Sequence, residues 1–196
     1  MKKMLLLIIA TGSMVYASAQ IQFGVKAGYN LANVMQSGPD PENGLKSKSS
    51  FNAGVLASVP LFNSFFLQPE IVYSGQGTGI SDNGFTGTLN YNYLNVPVLF
   101  KYQAPSGIFA ETGPQVGFLL SSNLKADGET VDTKDQTQSV DFSWALGLGY
   151  KLSEMGLGFD ARYNLGLTNT LKNGQGESVK NSVFQIGVFY MFGEGK

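Results

Sequence analysis

The chain has 196 residues and an almost balanced charge, with 13 basic and 14 acidic side chains and a net charge of −1. It contains no His and no Cys, which excludes imidazole and thiolate metal ligands, Ser-His and Cys-His catalytic pairs, and disulfide bonds. The charge gives no reason to expect a nucleic-acid partner. With 25 glycines and 12% aromatic residues, the composition favours an all-β protein over a helical one.

The N-terminus has the three parts of a secretory signal peptide. Lys2 and Lys3 form a basic region, an apolar run covers 4–10, and an A-x-A cleavage site ends at Ala19. An N-terminal membrane anchor is the alternative, but this apolar run is too short to span a bilayer. We therefore expect a cleaved signal peptide over 1–19 and a single outer-membrane β-barrel domain over 20–196.

The rest of the chain contains eight segments in which apolar and polar residues alternate with a period of two, as strands require. About ten residues of such alternation per segment is the signature of an outer-membrane strand. The pattern predicts an all-β fold, an eight-stranded antiparallel up-and-down transmembrane β-barrel. The predicted strands cover 21–32, 51–60, 65–75, 89–103, 108–120, 141–151, 156–168 and 182–192.

The connections between these segments are alternately short and long. Short turns are predicted at 61–64, 104–107 and 152–155, and long polar loops at 33–50, 76–88, 121–140 and 169–181. Short periplasmic turns and long extracellular loops are expected of a barrel in the outer membrane. The long loops should therefore face away from the cell.

Side-chain volume indicates which face of each strand points outward. The interior of an eight-stranded barrel is only just wide enough for its own side chains, so the large rings of the apolar rows should face lipid and form interfacial girdles. A soluble lipocalin-like barrel with an apolar interior is the alternative, and the same volume argument disfavours it. The rings are Phe23, Tyr29, Phe51, Phe65, Tyr73, Phe100, Tyr102, Phe118, Phe142, Trp144, Tyr150, Phe159, Tyr163, Phe184, Tyr190 and Phe192.

The opposite rows would then place four positive and four negative side chains in the lumen. Buried charges need partners, so this balance indicates a plugged lumen held by ion pairs; a proton or ion path is the alternative. Lys101 and Glu111 flank the turn at 104–107 and should lie at similar height as a pair. The predicted network consists of Lys26, Glu70, Lys101, Glu111, Asp141, Lys151, Asp160 and Arg162.

Three prolines interrupt the predicted strands, Pro69, Pro97 and Pro114. Proline cannot donate a ladder hydrogen bond and normally lies at edges or bulges. Since a closed barrel has no edge, local bulges or broken ladder bonds are expected at these positions.

The last segment carries a possible assembly signal. Gln185, Gly187, Tyr190 and Phe192 resemble the C-terminal pattern by which outer-membrane barrels are recognised for insertion. The partners expected from this reading are the barrel-assembly machinery and the lipids of the outer membrane.

Several stretches resemble the PorT-type, or "porin family", outer-membrane β-barrel proteins of the Gram-negative envelope. They are L-Q-P-E-I-V-Y-S (67–74), Y-L-N-V-P-V-L-F-K-Y (93–102), A-E-T-G-P-Q-V-G (110–117), A-L-G-L-G-Y (145–150) and F-D-A-R-Y-N-L-G-L (159–167). The resemblance covers essentially all of the chain after residue 19 and implies a barrel that tolerates the three prolines. It implies no particular activity, although the founding member is linked to protein secretion.

One acidic stretch within 121–140 is a candidate cation site. Its carboxylates are Asp127, Glu129, Asp132 and Asp135. They could bind Ca²⁺ or the divalent ions that bridge surface lipids, but their spacing lacks the ligand series and glycine of a calcium loop. A solvated acidic loop is the alternative.

Together these features predict a non-enzymatic, monomeric outer-membrane barrel without a cofactor. Its lumen would be plugged and its extracellular loops would bind surface partners or support the envelope. The alternatives are a small porin-like channel and an accessory component of a protein-secretion system.

Overall fold

The computed structural model describes residues 20–37, 45–82, 85–126, 128–152, 155–172 and 178–193. The predicted signal peptide, 1–19, lies outside them. No helix among these residues is long and apolar enough to cross a membrane. Within the described ranges the strands are β1 (Gln22–Ser37), β2 (Leu45–Phe62), β3 (Phe65–Asp82), β4 (Phe85–Gln103), β5 (Ile108–Ala126), β6 (Glu129–Asp132), β7 (Val140–Leu152), β8 (Leu157–Gly166) and β9 (Ser178–Met191), with a 3-10 turn at Lys134–Gln136.

Eight of these strands close into a ring. Neighbours pair antiparallel in the order β1-β2-β3-β4-β5-β7-β8-β9, and β9 returns to pair with β1. That closing ladder runs from Gly24↔Met191 to Ser37↔Ser178. The short strand β6 pairs with the far end of β5 and lies outside the ring. The predicted eight-stranded antiparallel barrel is therefore confirmed.

The strands are longer than predicted, and the prediction of long loops is wrong for much of 33–50, 76–88 and 121–140. β3 and β4 stay paired up to Asp82↔Phe85, and β5 continues to Ala126 before the chain turns back as β6. The strands continue through polar Thr, Ser and Asn residues because the ladder is formed by backbone hydrogen bonds. Once two strands are paired in register, these bonds do not require alternating apolar side chains.

This extended part exceeds the length that a bilayer requires. A tilted membrane strand needs only about 9–11 residues, whereas β3 and β4 have 18 and 19. We call the extension the crown; it consists of 32–37, 45–50, 76–82, 85–90, 121–126, 129–132 and 178–182. The opposite end, which carries the short turns, is called the turn end.

The two faces of the strands are as predicted. Every ring of the predicted lipid-facing set is exposed, except Phe65 and Tyr73, which are half-buried. Phe23, for example, is 62% exposed, whereas Lys26 on the opposite row of β1 is 7% exposed. The lumen is therefore polar in its middle, and the outer wall is apolar.

The prolines interrupt the ladders without shifting them. Pairing between β2 and β3 skips the positions around Pro69, β3–β4 pairing skips those around Pro97, and β4–β5 pairing skips those around Pro114. The expectation of broken ladder bonds is confirmed. The register shifts lie elsewhere, between Ser47 and Asn52 and between Asn92 and Tyr93 among others.

Two clusters of buried apolar side chains lie in the lumen, one towards each end. The crown-end cap consists of Val34, Tyr91, Tyr93 and Leu119. The turn-end cap consists of Leu56, Phe109, Phe189 and Met191.

Glycines make room for the rings of the turn-end cap. A Cβ at Gly149 would lie 2.2 Å from Phe109 Cζ, and one at Gly158 would lie 2.2 Å from Phe189 Cζ. The two rings pack edge to face with their centroids 5.8 Å apart. The glycines on β7 and β8 thus decide where this cap can form.

Candidate functional site in the barrel lumen

Between the two caps, the inner rows of β1, β3, β4, β5 and β8 bring six of the eight predicted charged residues together. Strand alternation turns all six inward, and each is at most 7% exposed. They are Lys26, Glu70, Lys101, Glu111, Asp160 and Arg162.

Arg162 lies at the centre of this cluster and binds two carboxylates. Its Nη1 and Nη2 donate to the two oxygens of Glu70, each at 2.9 Å. Its Nε and Nη2 both donate to Glu111 Oε1, at 2.9 and 2.6 Å. The planar guanidinium can form such forked bonds because its donors are held in a fixed geometry. A single side chain of β8 thereby ties β3 to β5 across the lumen.

Lys26 extends the cluster to β1. Its Nζ lies 3.5 Å from Glu70 Oε2 and 3.5 Å from Asp160 Oδ2. Glu70 therefore has two cationic neighbours, which compensates the cost of removing its charge from water.

Lys101 and Glu111 are direct register partners on β4 and β5, and both are buried. The prediction that they lie at similar height is confirmed. Their closest contacts, however, are to other groups. Lys101 Nζ donates to Gln68 Oε1 at 3.2 Å and lies 3.6 Å from the centroid of the Phe109 ring, while Glu111 is held by Arg162.

The cluster is closely packed. Its three cations and three carboxylates balance. All of them except Lys101 line one cavity together with Leu56, Gln68, Phe109 and Phe189, and that cavity is too small for a water molecule. Gln68 also donates to Glu70 Oε1 at 2.8 Å. Charges withdrawn from water in this way are tolerated only when they are paired and hydrogen-bonded.

The other two charges of the predicted network are buried at different heights. Asp141 lies towards the crown, where its Oδ1 accepts a 2.7 Å hydrogen bond from Thr168. Lys151 is buried near the turn end of β7. All eight predicted residues thus face the lumen, and six of them share one cluster.

A second, uncharged network was missed by the sequence reasoning. Asn30 donates to Gly75 O at 2.8 Å and to Ser74 Oγ at 3.0 Å. Its Oδ1 accepts from Asn52 at 2.6 Å and from Gln185 at 3.0 Å. The strand alternation predicts their inward positions, but the alternation does not show which uncharged side chains bond to one another. The Asn30 network fastens β1, β2, β3 and β9 to one another.

The residues of the predicted assembly signal divide between the two faces of β9. Gln185 is buried in the lumen, and Gly187 also points inward. Tyr190 and Phe192 face outward and are 42% and 50% exposed. Both rings are therefore available at the outer surface of the turn end.

The acidic stretch does not assemble into a metal site among the described residues, which contain no group of three carboxylates placed to hold an ion. Glu129 and Asp132 lie on β6, and Asp135 lies in the 3-10 turn that follows. Asp127 lies outside the described residues.

Some buried polar atoms on the crown side of the cluster lack a hydrogen-bond partner. Both side-chain polar atoms of Asn164, on β8, are in this position, and Asp160 Oδ1 lacks a partner within the cluster itself. Buried groups of this kind are ordinarily satisfied by internal water.

The closed ring, the outward row of aromatic rings and the ionic interior together define a transmembrane β-barrel. The chain belongs to the outer membrane protein beta-barrel domain family, which its sequence matches over residues 16–172. Its place is accordingly the outer membrane. No curated protein matches it in sequence.

Three outer-membrane proteins are among the solved structures to which the chain is similar. Neisserial surface protein A has a TM-score of 0.56 and 14% sequence identity, over 87% of this chain and 97% of that one. Ail, the attachment invasion locus protein of Yersinia pestis, has a TM-score of 0.49 and 15% identity, over 87% and 98%. OprG of Pseudomonas aeruginosa has a TM-score of 0.47 and 13% identity, over 89% and 97%. At such identities the similarity concerns the fold.

Proposed function

We propose that this protein is a non-enzymatic, monomeric outer-membrane barrel of the PorT type, exported through a cleaved signal peptide, whose lumen is plugged and whose crown binds partners at the cell surface. The observation that carries the proposal is the buried cluster around Arg162, which bonds both Glu70 and Glu111 across the lumen.

Three consecutive barriers support the plug. The turn-end cap fills one end with packed rings, the ionic cluster leaves no room for water in the middle, and the crown-end cap closes the other end. A permeating ion would have to break charge-assisted hydrogen bonds that are worth more in a dry lumen than in water.

The same contacts argue against catalysis. The chain offers no His or Cys as a base or nucleophile, and the carboxylates of Glu70 and Glu111 are both bound to a guanidinium. A buried carboxylate whose oxygens are occupied by a guanidinium is not free to exchange a proton with a substrate, as a general acid or base must.

The crown supports the surface role. It raises paired strands beyond the membrane, and its residues include polar and charged side chains open to solvent, such as Lys125 and Asp132. The stretches at 93–102 and 159–167 support membership of the PorT-type group. Tyr190 and Phe192, exposed at the turn end, support recognition by the barrel-assembly machinery, and the outward rings support contact with outer-membrane lipids.

A small channel is the second candidate. The unpartnered amide of Asn164 favours water on the crown side of the cluster. In this alternative the plug would be permeable to water and small ions past Asp160.

Planar-bilayer conductance separates the two candidates. Purified wild-type protein should give no steady channels, while a variant without the plug, Arg162→Gly combined with Phe189→Ala, should conduct. Lys172→Gly, at an exposed position, is the matched control and should remain silent. Steady channels from the wild type would overturn the plugged lumen.

A further inference from the structure

Among the described residues the eight barrel strands close into a ring, whereas β6 in the crown has one edge without a strand partner. β6 pairs with β5 through four register pairs, from Ala126↔Glu129 to Asn123↔Asp132. No other strand pairing of β6 occurs among the described residues. All four of its residues are exposed, including Val131 at 54%. A free edge of this kind is a template for another extended chain.

The hydrogen-bond pattern shows which backbone groups point to the open side. Thr133 N donates to Ser122 O at 3.0 Å, so positions 133, 131 and 129 form the hydrogen-bonded pairs with β5. In an antiparallel ladder the residues in between direct their N–H and C=O groups away from that partner. Thr130 and Asp132 therefore present their backbone groups at the edge.

The side chains of this part of the crown form two rows that end at β6. One row is apolar and runs from Leu89 through Leu124 to Val131. The other face of β6 carries Thr130 and Asp132, since side chains alternate along a strand. A strand added at this edge could place an apolar side chain next to Val131 on one face of the sheet. Its next side chain would lie next to Asp132 on the other face.

The negative charge of β6 favours one kind of added strand over another. Glu129 and Asp132 make the edge acidic within four residues. A second copy paired antiparallel about Val131 would set Asp132 opposite Thr130 and Glu129 opposite Thr133, so it would gain no cross-strand ion pair and would bring two acidic edges together. A basic strand would instead gain cross-strand ion pairs.

We propose that the β6 edge binds an extended, basic segment of a partner protein by β-strand addition. That segment carries a basic residue opposite Asp132 and an apolar residue opposite Val131. A polar residue then lies opposite Thr130, and a second basic residue lies opposite Glu129. Backbone hydrogen bonds supply the affinity and the alternating side chains supply the selectivity. The inference rests on the proposed surface-binding function of the crown and names the chemistry of its partner.

The test uses the full-length barrel in detergent micelles and a labelled six-residue probe, acetyl-Ser-Lys-Val-Thr-Arg-Ser-amide, whose Lys-Val-Thr-Arg core matches this order. Binding should slow hydrogen exchange of the Thr130 and Asp132 amides. N-methylation of the probe's Lys and Thr amides, which face β6, should weaken binding by about tenfold or more, because two hydrogen bonds are lost. N-methylation of the Val and Arg amides, which face away, is the matched control and should leave binding in place.

Two variants of the protein complete the design. Thr130→Pro removes an edge donor and should abolish binding, whereas Thr130→Val keeps the backbone and should bind. Loss of heat-modifiable migration in either variant would show misfolding, in which case the probe's own N-methylation series decides the outcome.

The proposal is overturned if the probe does not bind, or if N-methylation weakens binding equally on both sides, which would mean charge attraction alone. It is also overturned if the protein dimerises through β6, so that Thr130→Pro yields monomers. Conductance is measured in a separate experiment. If the wild type gives no channels and the probe does not bind, the edge proposal is wrong while the plugged lumen stands.

Discussion

Replacing Arg162 by Met is the most direct perturbation of the plug. The substitution removes four hydrogen bonds of 2.6–2.9 Å to Glu70 and Glu111 and leaves two buried carboxylates. Lys26, at 3.5 Å, still compensates Glu70, so Glu111 bears most of the loss. Breaking a buried ion pair by removing one partner destabilises by about 3–5 kcal/mol. The unfolding equilibrium constant should therefore rise by roughly 10²–10⁴.

The assay is urea unfolding in lipid vesicles, followed by the fluorescence of Trp144 and by heat-modifiable migration on a gel. Lys172→Met removes an exposed cation and should shift the free energy of unfolding by less than about 0.5 kcal/mol. The triple variant Glu70→Gln, Glu111→Gln and Arg162→Met removes the orphaned charges and should recover most of the loss. If Arg162→Met alone cost no more than the Lys172 control, the cluster would not be a dry, coupled network.

Further predictions test the outer wall and the turn-end cap. Trp144, the chain's one tryptophan, is 42% exposed on the outer wall, so brominated lipids should quench its fluorescence; unquenched emission would place the ring inside. Ile186→Arg, on the lipid-facing row, should destabilise by about 2–4 kcal/mol, whereas Met35→Arg, outward in the crown, should cost about 0–1; urea titrations showing equal costs would contradict the depth assignment. Gly158→Ala should cost about 1–3 kcal/mol by overpacking the ring of Phe189, and adding Phe189→Leu should relieve it, as followed by the urea midpoint.

The barrel and its faces were predictable from sequence because two local signals determine them. The period of two places Phe184, Ile186 and Val188 on one row, and the narrow bore leaves only the outside for rings such as Trp144. Both arguments need no knowledge of which strand neighbours which.

The crown was not predictable in the same way. Residues such as Thr78 and Ser81 show little apolar alternation, and they are held in strands by ladders to β4 that continue from the membrane part. Pairing over such distances depends on register set elsewhere in the chain, which local composition does not reveal.

The sequence also did not predict which of the lumen charges bind to one another. Strand height places Lys101 opposite Glu111, yet Arg162 takes Glu111 because its fork spans two carboxylates, while Lys101 settles over the Phe109 ring. Contacts across the lumen depend on the curvature of the barrel and on where the rings pack. Neither can be read from the sequence of a single strand.

The lumen charges have a consequence for how the chain enters the membrane. Glu70 and Glu111 reach the bilayer on β3 and β5, but the guanidinium that neutralises both arrives with β8. A wall that lacks β8 would leave Glu111 without its guanidinium partner, so the buried charges balance only once β8 has joined the ring.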